Sequence, residues 1–198
     1  MSDFNNHINQ YLSNSSNTIE TLKNLNNEII DSFELIKNTV ENKNKILIAG
    51  NGGLAAEAEH FCGELTCTFK SPKRRAISAI SLTSSASAIT AWANDFGFES
   101  YFSRMVESLG SSGDVLFLMS TSGGDIQNNF SLNLYEASKI AKKNGIKVIS
   151  IVGKKGGALS ETSDIFLHIE SNVTSHIQEA TLVTCHLICD LLDQAYAE

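Results

Sequence analysis

The chain has 198 residues, of which 42% are hydrophobic, and its formal net charge is −7 at pH 7. This length and composition supply enough apolar residues for one globular domain with a sizeable core. Basic residues are scattered apart from a short group at 70–75, so the basic stripe that nucleic-acid binding needs is absent. We therefore expect a single domain over residues 1–198 that does not bind nucleic acid.

The cysteines and the N-terminus indicate a reducing compartment. Cys62 and Cys67, like Cys185 and Cys189, lack the CxxC spacing of a zinc ribbon, and we expect reduced, mostly buried thiols. The N-terminus, MSDFNNHINQYL, lacks the apolar core of a signal peptide, and no apolar run reaches the length that spans a bilayer. These features predict a cytoplasmic protein without a membrane partner.

Residues 3–42 predict one long helix, or two helices in tandem, that serves in oligomerisation. Apolar residues recur every seven positions in two series four places apart, which is the a/d seam of a coiled coil. The seam consists of Ile8, Leu12, Ile19, Leu22, Ile29, Phe33, Ile36 and Val40, and it is broken at Ser15 and Asn26. An intramolecular cover over a sheet gives the same pattern, so that alternative stays open.

From Lys45 onward, short apolar and β-branched runs alternate with helical stretches. The predicted strands are 46–49, 76–82, 115–120, 148–152 and 165–169, and the predicted helices include 55–66, 101–109, 126–144 and 175–197. Such alternation predicts an α/β fold: a three-layer sandwich with a central five-stranded parallel sheet, preceded by the long N-terminal helical segment. In such sheets, ligands bind beyond the carboxyl ends of the strands.

Two loops at predicted carboxyl ends of strands suit a phosphorylated ligand. Residues 50–53, GNGG, permit positive φ angles and close approach of a ligand to the backbone, although a structural tight turn explains them about as well. Ser120, Thr121 and Ser122, followed by two glycines, offer hydroxyl and amide donors to a phosphate, with a helix N-cap as the competing interpretation. A second Ser/Thr cluster, at 83–85, follows the second strand.

Two predicted helices carry residues that suit acid–base catalysis or metal binding. His60 and Glu64 are four residues apart on one helical face, as an acid/base pair, two metal ligands or a surface ion pair would be. Gln178 and His186 share a broad face of the last helix. His186 lies in an apolar segment, where a buried structural histidine is the commoner explanation.

Four motifs occur in order along nearly the whole chain: GNGGLAAEAEHFCGEL, ANDFGFE, SLGSSGDVLFLMSTSG and IQEATLVTCHLICDLLD. Together they resemble the motifs of bacterial phosphoheptose isomerases, which have the flavodoxin-like SIS (sugar isomerase) fold. The resemblance implies a homotetramer with one zinc ion per subunit. It also implies isomerisation of sedoheptulose 7-phosphate, a phosphorylated seven-carbon sugar, to D-glycero-D-manno-heptose 7-phosphate, the first step of ADP- or GDP-heptose synthesis for lipopolysaccharide or capsule.

The resemblance also implies roles for individual residues. His60, Glu64, Gln178 and His186 match zinc-binding positions, and Glu64 and His186 match the acid/base catalysts as well. Glu64 is then the base that forms a cis-enediol, and His186 moves protons on the oxygen side. The residues that match substrate contacts are Asn51, Gly52, Gly53, Glu64, Asn94, Asp95, Ser120, Thr121, Ser122 and Gln178.

Three positions depart from the family pattern. Leu54 replaces a serine after GNGG, Ser85 replaces an aspartate, and Asp125 replaces the serine that ends the phosphate loop. These departures leave open a related phosphosugar as the substrate. A non-catalytic SIS protein that binds phosphosugars, of the replication-initiator-associating type, is a further alternative, but the presence of Glu64 and His186 favours an enzyme.

Overall fold

A computed structural model describes residues 2–196 and contains one five-stranded sheet. Its strands are β1 (Ile46–Gly50), β2 (Ala79–Ser81), β3 (Val115–Ser120), β4 (Lys147–Val152) and β5 (Ile165–His168). All pairs are parallel, in the order β2-β1-β3-β4-β5. The predicted parallel sheet is confirmed, although the strand predicted at 76–82 is only three residues long in the structure.

Helices flank the sheet and precede it. They are α1 (Ser2–Glu20), α2 (Asn26–Glu41), α3 (Gly53–Thr66), α4 (Ala86–Phe96), α5 (Tyr101–Leu109), α6 (Leu132–Lys143), α7 (Leu159–Thr162) and α8 (Thr174–Tyr196). A 3-10 turn, Thr21–Leu25, joins α1 to α2, so the N-terminal segment is two helices in tandem. The helix predicted from Ile126 begins only at Leu132, and α4 was not predicted; position 197 of the last predicted helix lies outside the described residues.

The strands form the middle layer of a sandwich because both faces of the sheet are apolar. Along β1, Ile46 and Ile48 join one buried cluster, whereas Leu47 and Ala49 join the other. This alternation follows the two-residue period of a strand. The first cluster contains side chains of α2, α3 and α8, and the second contains side chains of α5 and α6, which confirms the three layers.

The N-terminal seam divides into two parts with different surroundings. Leu22, Ile29, Ile36 and Val40 are buried in the core of their own chain, so this part of the seam is an intramolecular cover. Ile8 and Leu12, on α1, remain 54% and 60% exposed. The exposed part of the seam, at Ile8 and Leu12, is therefore available to a second chain.

Strand order reverses beside β1, because the chain moves outward to β2 and then returns to β3 on the other side. The carboxyl ends of β1 and β3 lie next to each other at this switch point, where open α/β sheets bind their ligands. Both loops singled out in the sequence leave from these ends. Among residues 2–196, no helix is both long and apolar enough to cross a bilayer.

The four cysteines are free thiols in the structure. Cys185 and Cys189 are buried on α8, Cys62 is half-buried, and Cys67 is exposed, so the expected burial holds for three of them in whole or in part. Burial raises the pKa of the Cys189 thiol to about 12 and that of Cys185 well above its ordinary value. The two α8 thiols are therefore unreactive packing residues.

Replacement of Ile36 tests whether α2 covers the sheet of its own chain. Ile36 is fully buried, and Ile36→Ala should lower the free energy of unfolding by about 2–5 kcal/mol because it leaves a cavity. Ile30 lies on the same helix but is 51% exposed, so Ile30→Ala should change that free energy by no more than about 0.5 kcal/mol. Urea denaturation of both variants measures the difference, and equal losses would contradict the cover.

Candidate active site

The first loop is a glycine turn between β1 and α3. A Cβ on Gly50 would lie 2.4 Å from the carbonyl oxygen of Leu54, and Gly52 has a φ of +58°, so neither position accepts a side chain without strain. The Asn51 side chain exchanges two amide hydrogen bonds with Asn133 on α6, at 2.9 and 3.0 Å. Leu54 is buried in the core, so its side chain does not face a ligand in the turn.

A pocket of about 370 Å³ opens beside this turn. Asn51 and Gly52 line it from the turn, Glu59 from α3, and Thr83 from the second Ser/Thr cluster. The pocket thus lies at the carboxyl ends of β1 and β2, where the topology places a ligand. Ser85, the departure from an expected aspartate, is the N-cap of α4, and its hydroxyl accepts a hydrogen bond from the Ala88 N–H at 3.3 Å.

Three residues predicted to bind metal or to transfer protons come together. His60 and Glu64 lie one turn apart on α3, and His60 Nε2 is 3.1 Å from Glu64 Oε1. His186 reaches the same place from α8, with its ring centroid 5.2 Å from that of His60. One ligand atom from each residue lies within 4.8 Å of the other two, so residues over 120 positions apart form one chemical group.

The electrostatics of this group favour a neutral His186. Burial lowers the pKa of the His186 imidazole, and the nearby His60 lowers it further, while Glu64 opposes the shift. A neutral imidazole has a lone pair that can accept a proton or bind a metal. The shift therefore keeps His186 available for either role near neutral pH.

Glu57 lies on the other side of His60. Its Oε2 is 3.6 Å from His60 Nδ1, and its Oε1 is buried without a hydrogen-bond partner among the residues described. Burial raises the pKa of this carboxyl, and His60 opposes the shift. The arrangement leaves Nε2 of His60 directed at Glu64, with a carboxylate behind the ring, as in many metal-binding histidines.

The donor set suits zinc. Two imidazoles and one carboxylate are ligands that Zn²⁺ prefers, and a catalytic zinc site commonly has three protein ligands and an open position. The fourth predicted ligand, Gln178, packs its side-chain amide against Gly53, where an added Cβ would lie only 2.7 Å from Nε2. Gln178 thus connects α8 with the glycine turn.

The side-chain hydroxyl of Ser120 fixes the shape of the second loop, Ser120–Gly124. Ser120 is buried, and its Oγ accepts hydrogen bonds from the backbone N–H groups of Gly123 at 2.9 Å and Ser122 at 3.3 Å. Gly123 has a φ of +69°, and a Cβ there would lie 1.9 Å from the carbonyl oxygen of Gly156. Ser120 therefore shapes the loop, while Thr121 and Ser122 are half-buried at its surface.

Sequence reasoning missed Ser131, which the structure brings to this loop. Reciprocal backbone hydrogen bonds between Asp125 and Phe130, at 2.8 and 3.1 Å, close a short excursion of the chain. The chain then returns to Ser122, whose Oγ lies 3.2 Å from the Ser131 Oγ. Ser131 immediately precedes α6, so a serine still ends the loop, displaced along the sequence by the excursion.

Asp125 therefore does not take the place of that serine. Its carboxylate accepts hydrogen bonds from the side-chain amide of Asn128 at 2.7 Å and from the backbone N–H groups of Gln127 and Asn128, both at 3.1 Å. These bonds, the Asn128 side chain first, lower the pKa of Asp125. The negative charge is engaged in its own turn, which removes the conflict with a phosphate.

Asn94 and Asp95 are neighbours on α4. Both are exposed on α4, and the Asn94 amide donates a hydrogen bond to Asp95 Oδ1 at 2.8 Å. Asp95 is not among the residues whose ligand atoms meet at the group of His60, Glu64 and His186. Their predicted contact with a substrate stays a prediction.

Comparisons with known proteins agree with this fold. Residues 10–153 match the SIS domain. The chain is 40% identical over 188 residues to a phosphoheptose isomerase of Helicobacter pylori strain P12, covering 95% of this chain and 94% of the relative. It is 41% identical over 174 residues to a probable phosphoheptose isomerase of Thermoplasma acidophilum, covering 87% and 92%.

Solved structures give the same result. Phosphoheptose isomerase GmhA from Neisseria gonorrhoeae superposes with a TM-score of 0.87 and 33% identity, covering 96% of this chain and 99% of that one. The enzyme from Francisella tularensis gives a TM-score of 0.85 and 33% identity, with 96% and 97% covered. The chain therefore belongs to the phosphoheptose isomerase family of SIS-domain proteins.

Replacement of Gly53 tests the position of Gln178. The added Cβ of Gly53→Ala would displace the Gln178 amide, which is the mobile end of a side chain, so the fold should persist. Zinc affinity, measured by isothermal titration, should fall about 10-fold or more. Gly63, on the same helix, has no atom within 4 Å of an added Cβ, so Gly63→Ala should leave zinc affinity unchanged and stabilise the helix by up to about 1 kcal/mol. Undiminished zinc affinity in Gly53→Ala would contradict the prediction that Gln178 is a metal ligand.

Proposed function

We propose that the chain converts sedoheptulose 7-phosphate to D-glycero-D-manno-heptose 7-phosphate through a cis-enediol, supplying heptose for lipopolysaccharide or capsule in the cytoplasm. The observation that carries this proposal is the meeting of the Glu64 carboxylate and the His186 imidazole from two separate helices. The chain also matches phosphoheptose isomerases over nearly the whole length of those proteins. Glu64 and His186 supply the acid and base that aldose–ketose isomerisation needs.

Glu64 and His186 divide the proton transfers between carbon and oxygen. The Glu64 carboxylate removes a proton from C1 of the ketose, which gives the enediol, and returns it to C2. Neutral His186 takes the proton from the C1 oxygen and delivers it to the C2 oxygen, so that the carbonyl moves from C2 to C1. The lowered pKa of His186 suits this exchange near neutral pH.

The second loop is proposed to hold the phosphate. Thr121 and Ser122 offer hydroxyls at the carboxyl end of β3, Ser120 fixes the loop shape, and Ser131 adds a hydroxyl beside Ser122. These phosphate contacts would lie far from the reacting carbons, and their binding energy would hold the sugar in position beside Glu64. The proposed sugar contacts are Asn51, Gly52, Gly53, Asn94, Asp95 and Gln178.

One zinc ion per subunit is proposed at His60, Glu64, His186 and Gln178. When bound, the ion would polarise the substrate carbonyl as a Lewis acid. Glu57 supports this role because its carboxylate lies behind the His60 ring and orients Nε2 towards the group. Oε1 of Glu57 is buried and has no hydrogen-bond partner among residues 2–196, and a cation nearby would offset the charge of this carboxylate.

Proton NMR in deuterated water tests the reaction. Sedoheptulose 7-phosphate incubated with the protein should give aldose signals with deuterium at C2, and added zinc should increase the rate. Binding of the phosphosugar without exchange would instead support a non-catalytic SIS protein. Exchange of a different phosphosugar in a substrate panel would correct the proposed specificity.

Replacement of Glu64 tests the proposed base. Glu64→Gln keeps the shape of the side chain but removes the carboxylate, and kcat should fall by about 10² to 10⁴-fold in the NMR assay. Glu107→Gln makes the same change at an exposed position on α5 and should leave kcat unchanged. Appreciable turnover by folded Glu64→Gln protein would rule out Glu64 as the base.

A homotetramer is proposed to form through the exposed face of α1. Phe4, Ile8 and Leu12 are exposed apolar residues on that helix, and Ile8 and Leu12 continue the buried seam of α2. Contiguous apolar surface of this kind marks interfaces between chains. The position of α1 on its own chain is fixed in part by hydrogen bonds that Tyr11 and Ser15 donate to Glu179 of α8.

Acidic residues on this face should weaken assembly. Ile8→Asp combined with Leu12→Asp places charges in the proposed interface, and sedimentation equilibrium should show a lower mass at micromolar protein concentration. Ile30→Asp, an exposed α2 position outside the seam, is the control and should keep the native mass. An unchanged mass of the double variant would refute the α1 interface. Ile29 cannot serve in this test because it is buried in its own chain.

A further inference from the structure

We propose that the buried ion pair between Arg74 and Asp193 is a brace that sets the spacing of Glu64 and His186, so that both are positioning residues for the isomerisation proposed above. Arg74 Nε donates to Asp193 Oδ1 at 2.7 Å, and the two side chains are only 1% and 5% exposed. Neither residue belongs to the group of His60, Glu64 and His186. Their effect on the reaction would pass through the backbone.

Arg74 holds the end of α3 by its last carbonyl groups. Its Nη2 donates to the carbonyl oxygen of Glu64 itself, and its Nη1 donates to that of Leu65 at 3.0 Å. Carbonyls in the last turn of a helix have no partner within the helix, and a cation there is also favoured by the helix dipole. The guanidinium thus fixes the backbone of the very residue proposed as the base.

Asp193 holds the other side of the brace on α8. It follows His186 by seven residues, which is two turns, so both side chains leave nearly the same face of the helix. Its Oδ2 also accepts hydrogen bonds from the backbone N–H groups of Lys70 and Ser71, both at 2.7 Å. One carboxylate therefore ties α8 to the segment that follows α3.

The pair thus connects the backbone of the base to the helix of the acid through one guanidinium and one carboxylate. A shift of about 1 Å in reacting groups can cost on the order of 100-fold in rate. Buried ion pairs often add little net stability compared with apolar residues of similar volume. The value of this pair lies in the planar guanidinium, which donates from Nε to Asp193 and from Nη1 and Nη2 to the end of α3, and so sets the position of α3 relative to α8.

Two conservative variants test the brace. Arg74→Lys keeps the positive charge but not the planar guanidinium, and Asp193→Asn keeps an acceptor for Lys70 and Ser71 but not the charge. Each should lower kcat about 10-fold or more while KM changes less than about threefold. Each should also weaken zinc binding about 10-fold and alter the visible absorption of protein loaded with Co²⁺. If Arg74→Lys does not fold, Asp193→Asn carries the test.

Asp114 provides the matched control. It is another buried carboxylate, paired with Lys45 at 2.6 Å, but it precedes β3 at the opposite end of the sheet. Asp114→Asn should lower the thermal midpoint while kcat, zinc affinity and the Co²⁺ spectrum stay at wild-type values. If Arg74→Lys and Asp193→Asn behave like this control, the pair is merely structural and the brace is wrong.

Failure of the proposed reaction is distinguishable from failure of the brace. A wild-type protein that binds zinc but does not convert sedoheptulose 7-phosphate would overturn the substrate, while zinc affinity and the Co²⁺ spectrum would still decide the brace. If the wild-type protein catalyses the reaction without zinc, the kcat values of the two variants would decide whether the brace is correct.

Discussion

The packing of α8 against α3 is the constraint on which the site depends. His186 meets His60 and Glu64 only because these two helices share one apolar cluster above the sheet, with Phe61 from α3 and Ile188 from α8. The close approach of α8 also requires Gly153 after β4, where a Cβ would lie 2.3 Å from Ile177. Hydrophobic burial thus determines the position of the polar group, and the hydrogen bonds refine it.

Charge and burial act together in the group. His60 lies between two carboxylates, Glu57 and Glu64, while His186 is kept neutral by its partial burial and by His60. Such a cluster attracts a cation or an electron-poor carbonyl more readily than an anion. The proposed phosphate position is the separate Ser122 loop, where the hydroxyls of Ser122 and Ser131 lie 3.2 Å apart. Under the proposed function, the molecule would therefore offer different chemistry to the two ends of a phosphosugar.

The sheet was predictable because buried parallel strands are short and apolar, as in β1, whose residues are all buried. The excursion at 125–130 was not, because it is closed by the bridge between Asp125 and Phe130 rather than by any local helix breaker. The helical periodicity of the sequence therefore placed the start of α6 too early, at Ile126 instead of Leu132. For the same reason Asp125 was expected in the place of the serine that ends the loop, whereas Ser131 is the residue that lies beside Ser122. His60 and Glu64 were readable from their spacing, but the contact with His186 is tertiary and came from the resemblance alone.

The N-terminal seam shows why pattern cannot separate a cover from an interface. Both need an apolar stripe with a helical period, and the two helices divide one stripe at the 3-10 turn after Glu20. Beyond that turn Ile36 is fully buried, whereas Leu12 before it is exposed. The exposed part is not remote from the chemistry, since Tyr11 and Ser15 bind Glu179, the neighbour of Gln178. A chain that packs on α1 would therefore also steady the helix that carries His186.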